Sequence, residues 1–344
     1  MKNEKHKNNK EIYKDLNNKN ISLLSNVTNN SHCSRDLDNT FIIFKSINEI
    51  LYLIYSTETK SIISYNLNEF KINAEIKNAH DNNYITNFRH FFDKNNKRDL
   101  IMSISAISCN IKIWNNENLD CILNIKKIYL NGIINSACFL FHDNKINIIA
   151  SNNFFSQPNS IKVYNFEGTL INEIKNSKEN TYYIDSYFDR TNSKLYIISC
   201  NYDYVKSYDY INNEIYYKYY DCKSNYRCSS RIIETKEIIK LIESASDGII
   251  RIWNFHSGNL IKKIYVSNLC LYGICIWDND NIFIGSADNN IKLININKNK
   301  IYNISGCNNW ICTISKINHK KYGNCIISQG IKDEQIKIWI IKNN

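Results

Sequence analysis

The side chains here that could do chemistry are twelve cysteines, seven histidines and a scatter of turn carboxylates, so their spacing decides the question. A zinc site needs thiolates or imidazoles in close pairs, with a second pair downstream. No C-x-x-C pair exists, and neither Cys307 with Cys312 nor Cys222 with Cys228 has the spacing or partners of a metal site. The histidines form no cluster. Asp278-Asn279-Asp280-Asn281 opens like a calcium loop but lacks the glycine and distal glutamate that complete one, so it reads as a polar hairpin turn. There is no nucleophile motif, glycine-rich phosphate loop or H-E-x-x-H. The expectation is a non-enzymatic chain with no catalytic, cofactor-binding or metal residues. Function must then come from a surface, and the elements that build it come next.

Ser244-Ala245-Ser246-Asp247-Gly248-Ile249-Ile250-Arg251-Ile252-Trp253-Asn254 sets the organisation. An apolar run, Ile238 to Ile242, ends in small residues and reverses at Asp247-Gly248, two residues that tolerate positive φ. A second strand ends on Trp253, and Ser257-Gly258 turns into a third, Asn259 to Ile264. The strand-end phrase recurs at Tyr65-Asn66, Trp114-Asn115, Tyr164-Asn165, Tyr208-Asp209, Ile294-Asn295 and Trp339-Ile340. The intervals between these landmarks are 49, 50, 44, 45, 41 and 45 residues. A short antiparallel sheet cannot cover both of its apolar faces alone, so copies at a fixed period must stack on one another. Three strands, two short turns and a closing Trp resemble a WD40 repeat. The resemblance implies an all-β, seven-bladed WD40-type β-propeller spanning 17–344 as a single domain, after a disordered basic tail, 1–16.

Closure follows from counting strands. After Trp339 only Ile340 to Asn344 remain, too few for a fourth strand in blade seven. Ile21 to Val27 is strand-like and isolated, so it is expected to supply the outer strand of the last blade and remove an open edge. The resemblance also implies a hydrogen-bonded group in each blade: a loop His, a strand Ser or Thr, a turn Asp and the strand Trp. Pieces of it are present. His80 and Trp114 stand in blade two, with Cys109 in the Asp region. Asp247 and Trp253 stand in blade five, Asp288 in blade six, and Asp333 with Trp339 in blade seven, where Gly306-Cys307 replaces the Gly-His pair. All are read as structural, because a buried acid and its hydroxyl or imidazole partner satisfy each other.

A net charge of +10 admits nucleic acid or an anionic membrane as a partner. The favoured reading is a solvated lysine-rich surface. Lys112, Lys162, Lys206, Lys292, Lys337 and Arg251 alternate with apolar neighbours and are expected to point away from the packed side of their strands. With one Pro and nine Gly, Asn is expected to serve at the turns. Cys109, Cys138, Cys200, Cys275 and Cys325 read as small apolar strand residues. Met1 to Asn20 lacks the apolar core of a signal peptide, and Phe41 to Tyr55, the best apolar run, carries Lys45, Asn48 and Glu49. A cytoplasmic or nuclear location with free thiols and no membrane insertion follows.

In a propeller the loops leading into each innermost strand gather at one mouth of the central channel. Tyr84, Tyr183, Tyr226, Arg227, Tyr272 and Trp310 fall there. Aromatics and Arg dominate binding hot spots, so these residues are the candidate protein-binding surface; the alternative is that they cover strand ends. Tyr216-Tyr217-Lys218-Tyr219-Tyr220 with Lys223 and Arg227 interleaves rings and charges as single-strand RNA binders do, although half of an outer strand faces its neighbour. Two subfamily signatures fit poorly. Phe88-Arg89-His90-Phe91 departs from the Phe/Leu-Arg-Arg-Gly of phosphoinositide-binding propellers, and His256 stands where cullin-ligase adaptors carry Arg. The expected function is a scaffold that assembles other proteins; an RNA- or phosphate-binding subunit of a ribonucleoprotein or trafficking complex is the alternative.

Overall fold

The computed structural model describes residues 21–27, 31, 40–129, 132–153, 159–175, 180–221, 226–331 and 335–341. The tail, Pro158, Cys222, Lys223 and Asp333 lie outside them. Strands rich in Ile, Tyr and Phe, residues that suit a pleated surface, form seven four-stranded antiparallel sheets. Blade five shows the pattern: Arg227–Glu234 innermost, then Ile239–Ala245, Ile249–Asn254 and, outermost, Leu260–Tyr265. The other innermost strands are Phe41–Lys45, Asn87–Asp93, Ile133–His142, Thr181–Asp189, Leu271–Ile276 and Ile311–His319. Each touches the innermost strand of the next blade, and Ile311–His319 touches Phe41–Lys45, so the ring closes around a central channel.

The closing strand is where the strand count places it. Ile21–Asn26 pairs antiparallel with Ile336–Ile341 and completes blade seven. Thr40 Oγ1 donates to Gln329 Oε1 at 2.7 Å and Gln329 Nε2 to Ser31 Oγ at 3.0 Å, which ties the start of blade one to blade seven. Below these bonds, Phe41, Leu53 and Ile63 pack on Ile317, Ile327 and Ile338. Each Ile buried in such a seam contributes about 1.5–3 kcal/mol relative to exposure.

Second and third strands are buried on both faces, as in Leu51–Ser56 and Ile62–Asn66, because each sheet lies between two others. Outer strands such as Lys71–Ile76 are largely exposed. Among the described residues, Asn supplies six of the sixteen non-glycine positions at positive φ, in line with its expected use at turns. Glycine is indispensable where chains touch. A Cβ on Gly285 would lie 2.2 Å from the Ile311 carbonyl oxygen, and one on Gly248, at φ +73°, would lie 1.8 Å from that of Ser267. Asp278 takes the amides of Asp280 and Asn281 at 2.8 and 2.7 Å, the expected polar turn. No helix among the described residues is long and apolar enough to cross a membrane.

Three local expectations fail. The strand lysines do not face solvent: Lys112, Lys206, Lys292, Lys337 and Arg251 are buried and Lys162 is half-buried. Alternation implies one wet face, but a third strand here has none. Lys112, Lys162 and Lys337 instead donate to the carbonyls of Ala79, Ile128 and Gly306, at 2.7, 3.0 and 3.0 Å, in the crossover leading into their own blade. In blades five and six the turn acid takes the cation, as Asp247 with Arg251 and Asp288 with Lys292. Cys109 is not a strand residue but a buried turn residue at φ 51°. The strand bounds shift as well: Tyr84 to Phe92 reads in sequence as the innermost strand of blade two, but that strand begins at Asn87, because Tyr84 to Thr86 belong to the crossover.

Candidate functional site

Each four-stranded meander sends two kinds of loop to the same face of the ring: the crossover between blades and the turn from second to third strand. On that face Tyr182 and Tyr226 lie ring to ring at 5.3 Å, and Tyr202 joins Tyr226 at 6.5 Å. Tyr226 packs against a buried cluster of Cys228, Tyr272 and Ala287. Trp310 stacks over Tyr272 at 6.5 Å and 21°, with 46% of its surface exposed. The result is one aromatic arc around the mouth from blade four to blade seven. Leu269 and Tyr265 add exposed apolar surface at its outer side.

Beneath the arc the innermost strands form a polar throat. Two guanidiniums lie near the Tyr183 ring, Arg89 at 5.1 Å and Arg231 at 5.2 Å from its centroid. Its hydroxyl donates to Asp185 Oδ2 at 2.8 Å and accepts from Arg231 Nη1 at 2.5 Å. Arg89 reaches from blade two past blade three, donating to Ser136 Oγ and to the Ile184 carbonyl of blade four at 3.2 Å.

The expected binding residues are therefore divided. Tyr226, Tyr272 and Trp310 belong to the arc, where Tyr272 is the buried floor under Trp310. Tyr183 is buried in the throat. Tyr84 stands apart on blade two, exposed, with Lys60 Nζ 5.1 Å from its ring. Arg227 is fully buried and works in an ion cluster instead. Tyr182, Tyr202, Arg89 and Arg231 were missed. Tyr202 was legible, since its turn from second to third strand opens on the same face, whereas the arginines meet Tyr183 only across blades. The interleaved stretch is mostly anchored: Tyr219 is buried and donates to the Phe255 carbonyl at 2.6 Å.

The structural residues also divide. In blade two, Ser103 Oγ accepts from Trp114 Nε1 at 2.8 Å and shares a 2.7 Å hydrogen bond with His80 Nε2. Burial, helped by the nearby charge of Lys112, pushes the imidazole of His80 down to about 3. In blade seven the Trp339 indole finds Ser328 Oγ at 2.8 Å. Blade five has no such hydroxyl, and Trp253 Nε1 has no hydrogen-bond partner among the described residues. Its ladder carries Glu243 opposite Arg251. Arg227 Nη1 lies 3.5 Å and Arg251 Nε 3.7 Å from Glu243 Oε1; Asp221 meets both arginines, and Asp247 meets Arg251 at 2.5 Å. Burial pushes the Glu243 carboxyl up to about 7 against the pull of the two guanidiniums. Asp288 is likewise opposed by burial, but hydrogen bonds from Lys292 and Ser286 hold it below the usual carboxylate range. No group of three or more metal-ligating side chains occurs among the described residues.

No protein-family model matches the chain, and no curated protein matches it. Among solved structures it is similar to Raptor from Chaetomium thermophilum, at 11% identity and a TM-score of 0.69. The match covers 93% of this chain but only 30% of that one. At that identity the likeness is one of fold, and the fold is a seven-bladed β-propeller.

Proposed function

We propose that the chain is a WD40-type scaffold that binds other proteins through the channel mouth and helps to assemble a multiprotein complex. The observation that carries this reading is the continuous arc of Tyr182, Tyr202, Tyr226, Tyr272 and Trp310, held on a rigid ring by four successive blades. Rings fixed by their neighbours lose little entropy on binding, so each desolvated anchor is worth about 2 kcal/mol or more. The free cysteines among the described residues support a reducing compartment, cytoplasm or nucleus. The RNA alternative loses its strand lysines, which are spent on internal carbonyls and carboxylates. Affinity purification from the native cell with mass spectrometry, repeated with Trp310→Ala and Tyr226→Ala, tests the surface. At least one recovered partner should be lost from both variants while the melting curve holds; retention of every partner would refute the assignment.

A further inference from the structure

Two thiols meet where blade five packs on blade six. Cys228 Sγ lies 3.6 Å from Cys270 Sγ, although the two residues stand 42 apart in the chain. Different elements deliver them. Cys228 is the extra residue of a bulge in Arg227–Glu234: its neighbours Arg227 and Ser229 face Ala245 and Ser244, consecutive residues of the next strand. A bulge bends its strand and re-aims the side chain it carries. Cys270 ends the crossover into blade six, just before Leu271–Ile276, and its carbonyl accepts from the Ala287 amide at 2.9 Å. The innermost strands of the two blades touch, and Cys270 and Tyr226 both pack on the buried cluster of Cys228, Tyr272 and Ala287.

The two sulfurs differ in access. Cys228 is buried, whereas Cys270 is half-buried and follows Leu269, which is 49% exposed. A disulfide bond is about 2.05 Å long, so closing it takes an approach of about 1.5 Å. Side-chain rotation can supply that, since Cys270 lies in a crossover rather than in a sheet. We propose that Cys228 and Cys270 are a dithiol modification site, reduced at rest, which a glutathione-type disulfide converts into a covalent bond between blades five and six. The Cys270 thiolate attacks one sulfur of the small disulfide and expels the other half as a thiolate, leaving a mixed disulfide on Cys270. The Cys228 thiolate then attacks the Cys270 sulfur and expels the second half. The two protein thiols give up two protons and two electrons, and the small disulfide leaves as two thiols. The site stands whether or not the mouth binds a partner.

The full chain is reduced, held in oxidised glutathione, quenched in acid, alkylated with N-ethylmaleimide and digested with trypsin for mass spectrometry. Cleavage after Lys223, Arg227 and Lys263 puts Cys222, Cys228 and Cys270 on separate peptides, and fragment spectra distinguish Cys270 from Cys275, which shares its peptide. A cross-link from Cys228 to Cys270 should form with the loss of two free thiols, and excess reduced glutathione should reverse it. Cys228→Ser should instead trap a glutathione adduct on Cys270, because the thiol that resolves it is gone. Cys270→Ser should leave Cys228 unmodified, because the buried thiol is not reached directly. A cooperative melt confirms that each variant folds, and the wild-type cross-link map depends on neither. Both thiols staying reduced while the exposed Cys121 takes up glutathione would overturn the site. So would a bond from either to Cys222 or another cysteine in its place, or a bond between two copies. A cross-link that forms as readily in urea would show that the seam does not select it, and an adduct on Cys228 in Cys270→Ser would overturn the order of attack.

Discussion

In blade two, Ser103 stands opposite Lys112 in the ladder and joins the imidazole of His80 to the indole of Trp114; in blade five the same two places hold Glu243 and Arg251. The first arrangement is a neutral chain in which one small hydroxyl serves two neighbours. Among the described residues, the second buries a carboxylate between guanidiniums that approach no closer than 3.5 Å, with neither of its oxygens hydrogen-bonded. A buried ion pair of that geometry does not recover the full cost of desolvation. One repeat position can thus hold a hydroxyl or a carboxylate, provided the facing cation and the crossover change with it. The difference also leaves the two blades with opposite responses to acid.

Removing one partner from the ionic blade should have the largest effect. Glu243→Ala leaves Arg227 and Arg251 facing each other across a cavity, and should lower unfolding free energy by about 3–5 kcal/mol, read from urea midpoints. In the neutral blade, Ser103→Ala strands the Trp114 N–H and removes the hydrogen bond of His80, for about 1–3 kcal/mol. If Ser103→Ala costs more than Glu243→Ala, the neutral chain is the stronger device and the contrast is reversed.

Acid sharpens the comparison. His80, lowered to about 3 from 6.5, supports the fold above about pH 6.5, and that support is lost as pH falls toward 3. Glu243, raised to about 7 from 4.5, has the opposite sign: its contribution is fully present below about pH 4.5 and is lost as pH rises toward 7. Between pH 4.5 and 6.5 the two slopes oppose one another, each up to about 1.4 kcal/mol per pH unit. His80→Gln should therefore make the chain gain stability, relative to the wild type, as pH falls through that window. Glu243→Gln should make it lose stability over the same range. Denaturation series at several pH values check both, and parallel curves for the two variants would erase the distinction.

What could be read in advance follows the same division. The seven sheets were legible because a strand-end phrase recurred at a near-constant period, with an aromatic at six of the seven landmarks, and the closing strand because blade seven was one strand short. Trp114 and His80 could be paired through the WD40 resemblance, which places a histidine in the crossover before the strand that carries the Trp. Glu243 could not, because in Ile-Lys-Leu-Ile-Glu-Ser it reads as an ordinary polar alternate, and only the blade packed on it decides that the position is dry. The lysines were misread for that reason. Tyr202, Arg89 and Arg231 acquire meaning from neighbours a full blade or more away, a relation that no local window contains.

Blade three offers the finest test, because it has neither device. Ala150 stands opposite Lys162, and the Tyr129 hydroxyl takes the crossover role, its one proton shared between the carbonyls of Ala150 and Ser160 at 2.9 and 2.8 Å. Lys162 then does two things: its ammonium lies 4.8 Å from the Tyr129 ring centroid and donates to the Ile128 carbonyl at 3.0 Å. Lys162→Met keeps the aliphatic stem over the ring while removing the charge and the bond. A half-buried hydrogen bond is worth about 0.5–1.5 kcal/mol net, so the urea midpoint should fall by that amount at an unchanged slope. A larger loss than Ser103→Ala produces would move the weight from the group behind the Trp to the lysine in front of it. The lysine that recurs at this position in blades two, three, four, six and seven would then be the true constant of the repeat.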